Sequence, residues 1–265
     1  MGSYLTLYIT GANGLIGTRL IERTDRSNIK CISYRDTVPN LFDSHDQACL
    51  LHMGWSSNTR TKDETILERD VKNSEILFNK FLDKNPKGKI IFTSTAGDMY
   101  ANKKENVCTE LDYPNPRTRY SQCKLQVENI LKNLDCKSFV LRISNIWGGH
   151  PDTNRQNGLV DKLLRVLNTD EEVKLFTNLN SHIDLIHVDD LISLIFKIVD
   201  CNLEGHELFL VGGQSVSIWS IINIISKKGY LNLKIDQTDK SKFFISIDAT
   251  KSKSTFDWKP ENYLK

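Results

Sequence analysis

A doubly wound parallel α/β sheet with a small α/β lobe on its C-terminal side is the fold class predicted by this 265-residue sequence. Three observations predict it. Short apolar runs alternate with helix-period segments through the first half, which is the pattern of strands joined by crossover helices. A glycine-spaced turn, TGANGLIG, links the first apolar run to the first helix pattern. The alternation stops after Arg142, where a polar stretch begins. Right-handed crossovers between parallel strands place helices on both faces of such a sheet.

Residues 5–10 read as a strand and 15–23 as a helix, followed by strands at 29–33 and 48–52 and a helix at 65–82. Residues 89–93 form a strand bounded by Pro86 and Gly88 before it and Gly97 after it. A loop with Pro114 and Pro116 precedes a helix at 119–134, and a strand follows at 138–143. Beyond it, 148–157 is polar and loop-like, and 159–167 is helical. Asp189 and Asp190 can cap a helix running to about residue 199. From 208 onwards short strands mix with a helix at 218–227, which Ser217 caps and Gly229 ends. The layout divides the chain into a sheet domain, 1–147 with 183–205, and a lobe of non-contiguous pieces, 148–182 with 206–265.

Composition excludes several classes. An apolar share of 39% and a charged share of 26% are those of a globular chain. Lys+Arg 35 against Asp+Glu 33, with no basic block, gives no reason to invoke nucleic acid or an acidic membrane. The start lacks a charged region and reaches glycine too soon for a signal peptide. The longest apolar stretch, 191–199, is broken by Ser193 and Lys197 and cannot span a bilayer core of ~30 Å. Six scattered cysteines form no CxxC pair, so buried thiols in a reducing cytoplasm are expected and no metal site is.

The turn carries the first chemistry. Gly11 permits a sharp bend, Gly14 lets a pyrophosphate approach the backbone, and Gly17 lets helix and strand pack closely; Asn13, Leu15 and Ile16 complete the phosphate cradle. The helix start offers free N–H groups and a partial positive charge to the phosphates. Three spaced glycines also serve plain turns, so the strand before and the helix after carry the dinucleotide reading. An acidic residue ending the second strand selects NAD, and an arginine favours the 2′-phosphate of NADP. Here Arg35 stands near that position, with Tyr34 before it and Asp36 after it, which favours NADP. The plainer alternative makes Arg35 a loop cation and turns Asp36 to the ribose of NAD.

The run KIIFTST brings Ser94 and Thr95 to the carboxyl edge of the sheet, where ligands sit in such folds. Tyr120 and Lys124 lie four apart at a helix start, hence on one face. A nearby ammonium lowers a tyrosine's pKa from ~10, fitting it for acid–base work near neutrality. The YxxxK spacing occurs three times, but Tyr100–Lys104 and Tyr230–Lys234 lack the long amphipathic helix that follows Tyr120.

On these residues the chain resembles the extended short-chain dehydrogenases of the nucleotide-sugar epimerase/dehydratase family over nearly its whole length. The pieces TGANGLIG, LLHMGW, IIFTSTAGDMY, YSQCK, LRISNIWG, QNGLV, LIHVDDL, LFLVGG and FDWKP run in the family's order. The resemblance implies a Rossmann domain with Tyr120 as acid/base and Lys124 on the nicotinamide ribose. It implies a hydroxyl from Ser94 or Thr95 on the reacting sugar oxygen, and Asn145 near the substrate phosphates. It also implies a homodimer paired through the helices at 65–82 and 119–134. Departures accompany it. Ala96 stands at the usual hydroxyl position, so Thr95 serves by a shifted register. Ala96-Gly97-Asp98 replaces the dehydratases' Thr-Asp-Glu; Asp98 alone mimics the acid. His182 is the nearest substitute for a diphosphate-binding arginine. A short span between the family's second and fourth strands leaves the third reduced or missing.

His52 reads as a core or cofactor-edge histidine rather than a metal ligand, His187 as structural, Cys123 as without chemistry, and Trp55, Trp147 and Trp219 as packing residues before base-stacking ones. FDWKP reads as a surface anchor of the lobe. The expected activity is reduction of a 4-keto nucleotide sugar with NADPH. The alternatives are a 4-epimerase holding NAD and a non-catalytic sensor of NAD(P).

Overall fold

The computed structural model describes residues 5–24, 27–33, 41–45, 47–56, 61, 63–100, 107–149, 158–236 and 242–265. Through the first half the elements are β1 (Thr6–Thr10), α1 (Leu15–Glu22), β2 (Ile29–Ile32), β3 (Ala48–His52), α2 (Glu64–Lys84), β4 (Lys89–Thr95), α3 (Arg119–Lys132) and β5 (Lys137–Ile143). The second half adds β6 (Asn145–Trp147), α4 (Gly158–Arg165), β7 (Val173–Phe176), β8 (His182–His187), α5 (Val188–Asp200), β9 (His206–Val211), β10 (Gln214–Ser217), α6 (Ile218–Ser226), β11 (Leu233–Asp236) and α7 (Thr250–Thr255).

Six strands form one sheet in the order β2-β1-β3-β4-β5-β9. β1 pairs in parallel with β2 on one side and β3 on the other, and β3 pairs in parallel with β4. The order therefore reverses at β1, and the crevice beyond the carboxyl ends of β1 and β3 is where such sheets take ligands. Among the described residues no strand lies outside β2, in keeping with the short span before β3. Residues 41–45 instead knot onto β1, where the Tyr8 hydroxyl accepts from Asp43 N–H at 3.0 Å and meets His45 Nε2 at 3.0 Å.

Packing separates two compact units, residues 1–101, 113–142 and 195–209 in the first and 102–112, 143–194 and 210–265 in the second. The first unit's core joins Tyr8, Leu50, Phe78, Phe81, Phe92, Val127 and Val140. Each such side chain contributes roughly 1.5–3 kcal/mol on burial. Asp63 and Thr118 cap α2 and α3 by accepting from Thr65 N–H at 2.9 Å and Ser121 N–H at 3.2 Å. Each cap stabilises its helix by ~1 kcal/mol. Lys89, buried at the start of β4, gives its protons to the carbonyls of Ile198, Val199 and Cys201, so its charge is fully partnered.

The second unit holds β10-β8-β6 and the parallel pair β11-β7 around Val160, Leu163, Val173, Ile221 and Ile225. Two expectations are corrected here. Asp189 and Asp190 lie inside the first turn of α5, and it is the His187 ring that accepts from Asp189 N–H at 3.2 Å. Asp190 holds the chain end instead, accepting from the N–H groups of Glu261 and Asn262. FDWKP is not a surface anchor, because Trp258 is buried and its N–H donates to Asp190 O and Ser193 Oγ.

Candidate active site

Gly11 adopts a φ of +72°, a conformation open mainly to glycine, and its carbonyl accepts from Gly14 N–H at 2.8 Å. A Cβ on Gly17 would lie 2.3 Å from Gly11 O, so only glycine lets α1 start this close to β1. Gly14 sits at the cap position of α1 with no side-chain cap, which leaves the first-turn N–H groups of the helix for an anion. This cradle fits a dinucleotide diphosphate. A Cβ on Gly11 would lie 2.8 Å from Gly54 N, so the turn rests directly on the segment following β3.

That segment is pinned by buried polar groups. Thr10 Oγ1 accepts from Met53 N–H at 3.0 Å and Gly54 N–H at 2.8 Å. The Thr10 proton goes to His52 Nδ1 at 2.8 Å, while His52 Nε2 reaches Ser74 Oγ at 2.9 Å. Ser74 gives its own proton to Asp70 O, so His52 carries hydrogen on Nε2 and is neutral. Burial first, then the Lys124 charge, hold its pKa down to about 3. His52 is thus a structural histidine.

Tyr120 and Lys124 lie on one face of α3. The Lys124 ammonium, almost fully buried, donates to Thr93 O at 2.9 Å. It also lies 4.0 Å from the centre of the Trp55 ring, and Tyr120 meets Trp55 edge-on at 6.3 Å. Burial pushes Lys124 down to about 7, with the Asp70 and Glu128 carboxylates acting against that fall. Tyr120 is pushed up to about 12 by burial and by Asp70. The expected lowering of the tyrosine by its lysine is therefore outweighed by burial and Asp70. Asp70 is buried, and both its oxygens accept from Ser56 N–H.

The two hydroxyls at the end of β4 part ways. Ser94 is buried and donates to Glu128, whose carboxylate also takes Arg142 in a fork at 2.6–3.2 Å. Arg142 in turn donates to the Tyr100 hydroxyl at 2.6 Å. The Ser94 hydroxyl is thereby committed to Glu128, while Thr95 ends β4 half-buried. Asp98, expected at the substrate, accepts through one carboxylate oxygen from Thr118 N–H at 2.8 Å and Ser121 Oγ at 2.6 Å at the start of α3. Arg35 lies outside the described residues.

In the second unit Asn145 donates to Asp184 O at 3.1 Å. The His182 ring packs on Phe244 at 5.0 Å, and its Nδ1 meets Asn180 O at 3.0 Å. Among the described residues no His/Cys/Asp/Glu group could hold a metal, and no helix is long and apolar enough to cross a membrane. Cys123 is buried, and burial raises its thiol, which suits a packing role. Sequence reasoning missed Asp70 and the Glu128–Arg142 pair. Their signals were a carboxylate in the apolar stripe of α2 and charges in the buried runs of α3 and β5.

A phosphate-cradling turn at the reversal of a parallel sheet, with a tyrosine–lysine pair beside the end of β4, defines an NAD(P)-dependent enzyme of the short-chain dehydrogenase type. The chain belongs to the NAD dependent epimerase/dehydratase family, whose model matches residues 7–212. It is 24% identical over 295 residues to dTDP-4-dehydro-6-deoxyglucose reductase of Escherichia coli, covering 95% of this chain and 92% of that one. Among solved structures it is similar to MoeE5 in complex with UDP-glucuronic acid and NAD, with a TM-score of 0.81 and 17% identity over 97% and 94% of the two chains. It is also similar to UDP-glucose 4-epimerase of Thermotoga maritima with UDP-glucose, with a TM-score of 0.78 and 20% identity over 98% and 95%.

Proposed function

We propose that this protein reduces a 4-keto-6-deoxy nucleoside-diphosphate sugar, working in the cytoplasm with NADPH preferred over NADH. The observation that carries the reading is the Tyr120–Lys124 pair beside the end of β4, where Ala96-Gly97-Asp98 stands in place of the dehydratases' Thr-Asp-Glu. The near full-length similarity to a 4-keto sugar reductase supports it. Gly11, Gly14, Gly17 and the first turn of α1, with Asn13, Leu15 and Ile16, would hold the dinucleotide. Arg35 would pair with its 2′-phosphate. When bound, the reduced nicotinamide supplies the hydride that adds to the carbonyl carbon. The Tyr120 hydroxyl gives its proton to the carbonyl oxygen, so C=O becomes CH–OH, and the Lys124 ammonium stabilises the phenolate left behind. Thr95 donates to the same oxygen and orients it. In this reading the second unit carries the substrate-binding residues Asn145 and His182.

The test is consumption of NADPH in the presence of a dTDP-4-keto-6-deoxyhexose, compared with NADH. Tyr120→Phe lowers turnover by roughly 10²- to 10⁴-fold, the usual contribution of a positioned acid, with little change in dinucleotide affinity. Arg35→Ala removes most of the NADPH preference, and equal affinities for the two cofactors in the unmutated protein would overturn that preference. A second reading, a 4-epimerase with NAD held through the cycle, is favoured by the likeness to an epimerase fold. Cofactor that copurifies and resists dialysis, with interconversion of sugars and no net NADPH use, selects it. Measurable turnover in either assay excludes a non-catalytic sensor of NAD(P).

A further inference from the structure

Trp55 has a polar atom that the fold leaves unused beside the reacting groups. Its indole Nε1 is buried and finds no acceptor among the described residues. A buried donor without a partner costs about 1–3 kcal/mol, a penalty that a ligand acceptor would remove. The position of the ring points to the ligand. On one side, the backbone of Gly54, the residue before Trp55, lies against Gly11 of the phosphate turn. On the other, the ring touches the catalytic pair, with Lys124 Nζ 4.0 Å from its centre and Tyr120 edge-on at 6.3 Å. A dinucleotide that runs from the glycine turn to Tyr120 passes Trp55 with its nicotinamide half. Lys124 cannot be the missing acceptor, because an ammonium only donates.

We infer that Trp55 is a cofactor-binding residue whose indole N–H donates to an uncharged oxygen of the nicotinamide half of the dinucleotide. The inference rests on the dinucleotide site proposed above. The Trp55 face holds the Lys124 ammonium through its π-system while the N–H takes the ligand, so one side chain positions both partners of the ribose.

Binding decides it without turnover. Calorimetric titration of the unmutated protein and Trp55→Phe is done with NADPH and, separately, with ADP, which lacks the nicotinamide half. Phenylalanine keeps an aromatic face for Lys124 and removes the N–H. Trp55→Phe weakens NADPH roughly 3- to 10-fold, the worth of one hydrogen bond, and leaves ADP unchanged. In the unmutated protein one of the four indole N–H resonances moves downfield with NADPH and not with ADP. This measurement stands even where Trp55→Phe folds poorly. Equal NADPH affinity in the two proteins, or no indole N–H shift on binding, overturns the inference while leaving the site reading intact. An unmutated protein that binds neither ligand overturns both.

Discussion

At Tyr120 two effects of opposite sign meet, an ammonium that favours the phenolate and a buried setting that disfavours it. Burial and the Asp70 carboxylate win, and the same burial brings Lys124 down to about 7. The pair was legible in the sequence because spacing on a helix fixes which residues share a face. Its electrostatics were not, because Asp70 arrives from α2, far off in sequence. A carboxylate disfavours a phenolate and favours an ammonium, so Asp70→Asn lowers both pKa values. The basic limb of the pH–rate profile then moves to lower pH, and a limb that stays or rises would sink this account. His52 makes a second, separate prediction. Its folded pKa of about 3 lies below the usual ~6.5, so as pH falls through that window the unfolded chain takes up a proton that the folded chain refuses. Stability is therefore lost between pH 6.5 and 3 and is whole above it. Denaturant midpoints across this range show the loss, and His52→Gln flattens the part that belongs to this residue.

At the scale of elements, α3 was placed from its apolar stripe, its Pro-bearing approach and the Tyr-Lys spacing. The structure adds how its position is held. Asp98 and Thr118 anchor its first turn, and Glu128, one turn beyond Lys124, is clamped by Arg142 from β5 and Ser94 from β4. Strand alternation marks Arg142 as interior only once its neighbours are known, since β5 is buried on both faces and shows no polar side. Removing one partner of a buried ion pair leaves the other uncompensated, so Glu128→Ala costs about 3–5 kcal/mol. Glu128→Leu combined with Arg142→Met costs less than the sum of the single changes. Urea unfolding of the four proteins gives the coupling, and strict additivity would refute the pairing as an energetic unit.

At the scale of the molecule, the two-core arrangement follows from where apolar segments recur along the chain. The lobe's pieces, 143–194 and 210–265 among them, meet through β8, β10 and the buried Trp258, contacts whose partners lie far apart in sequence. That is why its existence could be read while the role of FDWKP was misjudged. Assembly belongs to this scale as well. The helices expected to pair across a twofold axis, α2 and α3, pack on each other. The outer side of α2 exposes Ile76, 42% accessible, amid charged neighbours. Burying such a side chain against its symmetry mate contributes to association in an isologous interface, and a charge there opposes it twice, once from each copy. We therefore expect a homodimer at micromolar concentration in sedimentation velocity, and Ile76→Asp to shift it to monomer. Because Ile76 is exposed, the substitution leaves the core untouched, and the far-ultraviolet spectrum of the monomer stays that of the unmutated protein. A chain that sediments as a monomer before any substitution is made would rule the paired helices out.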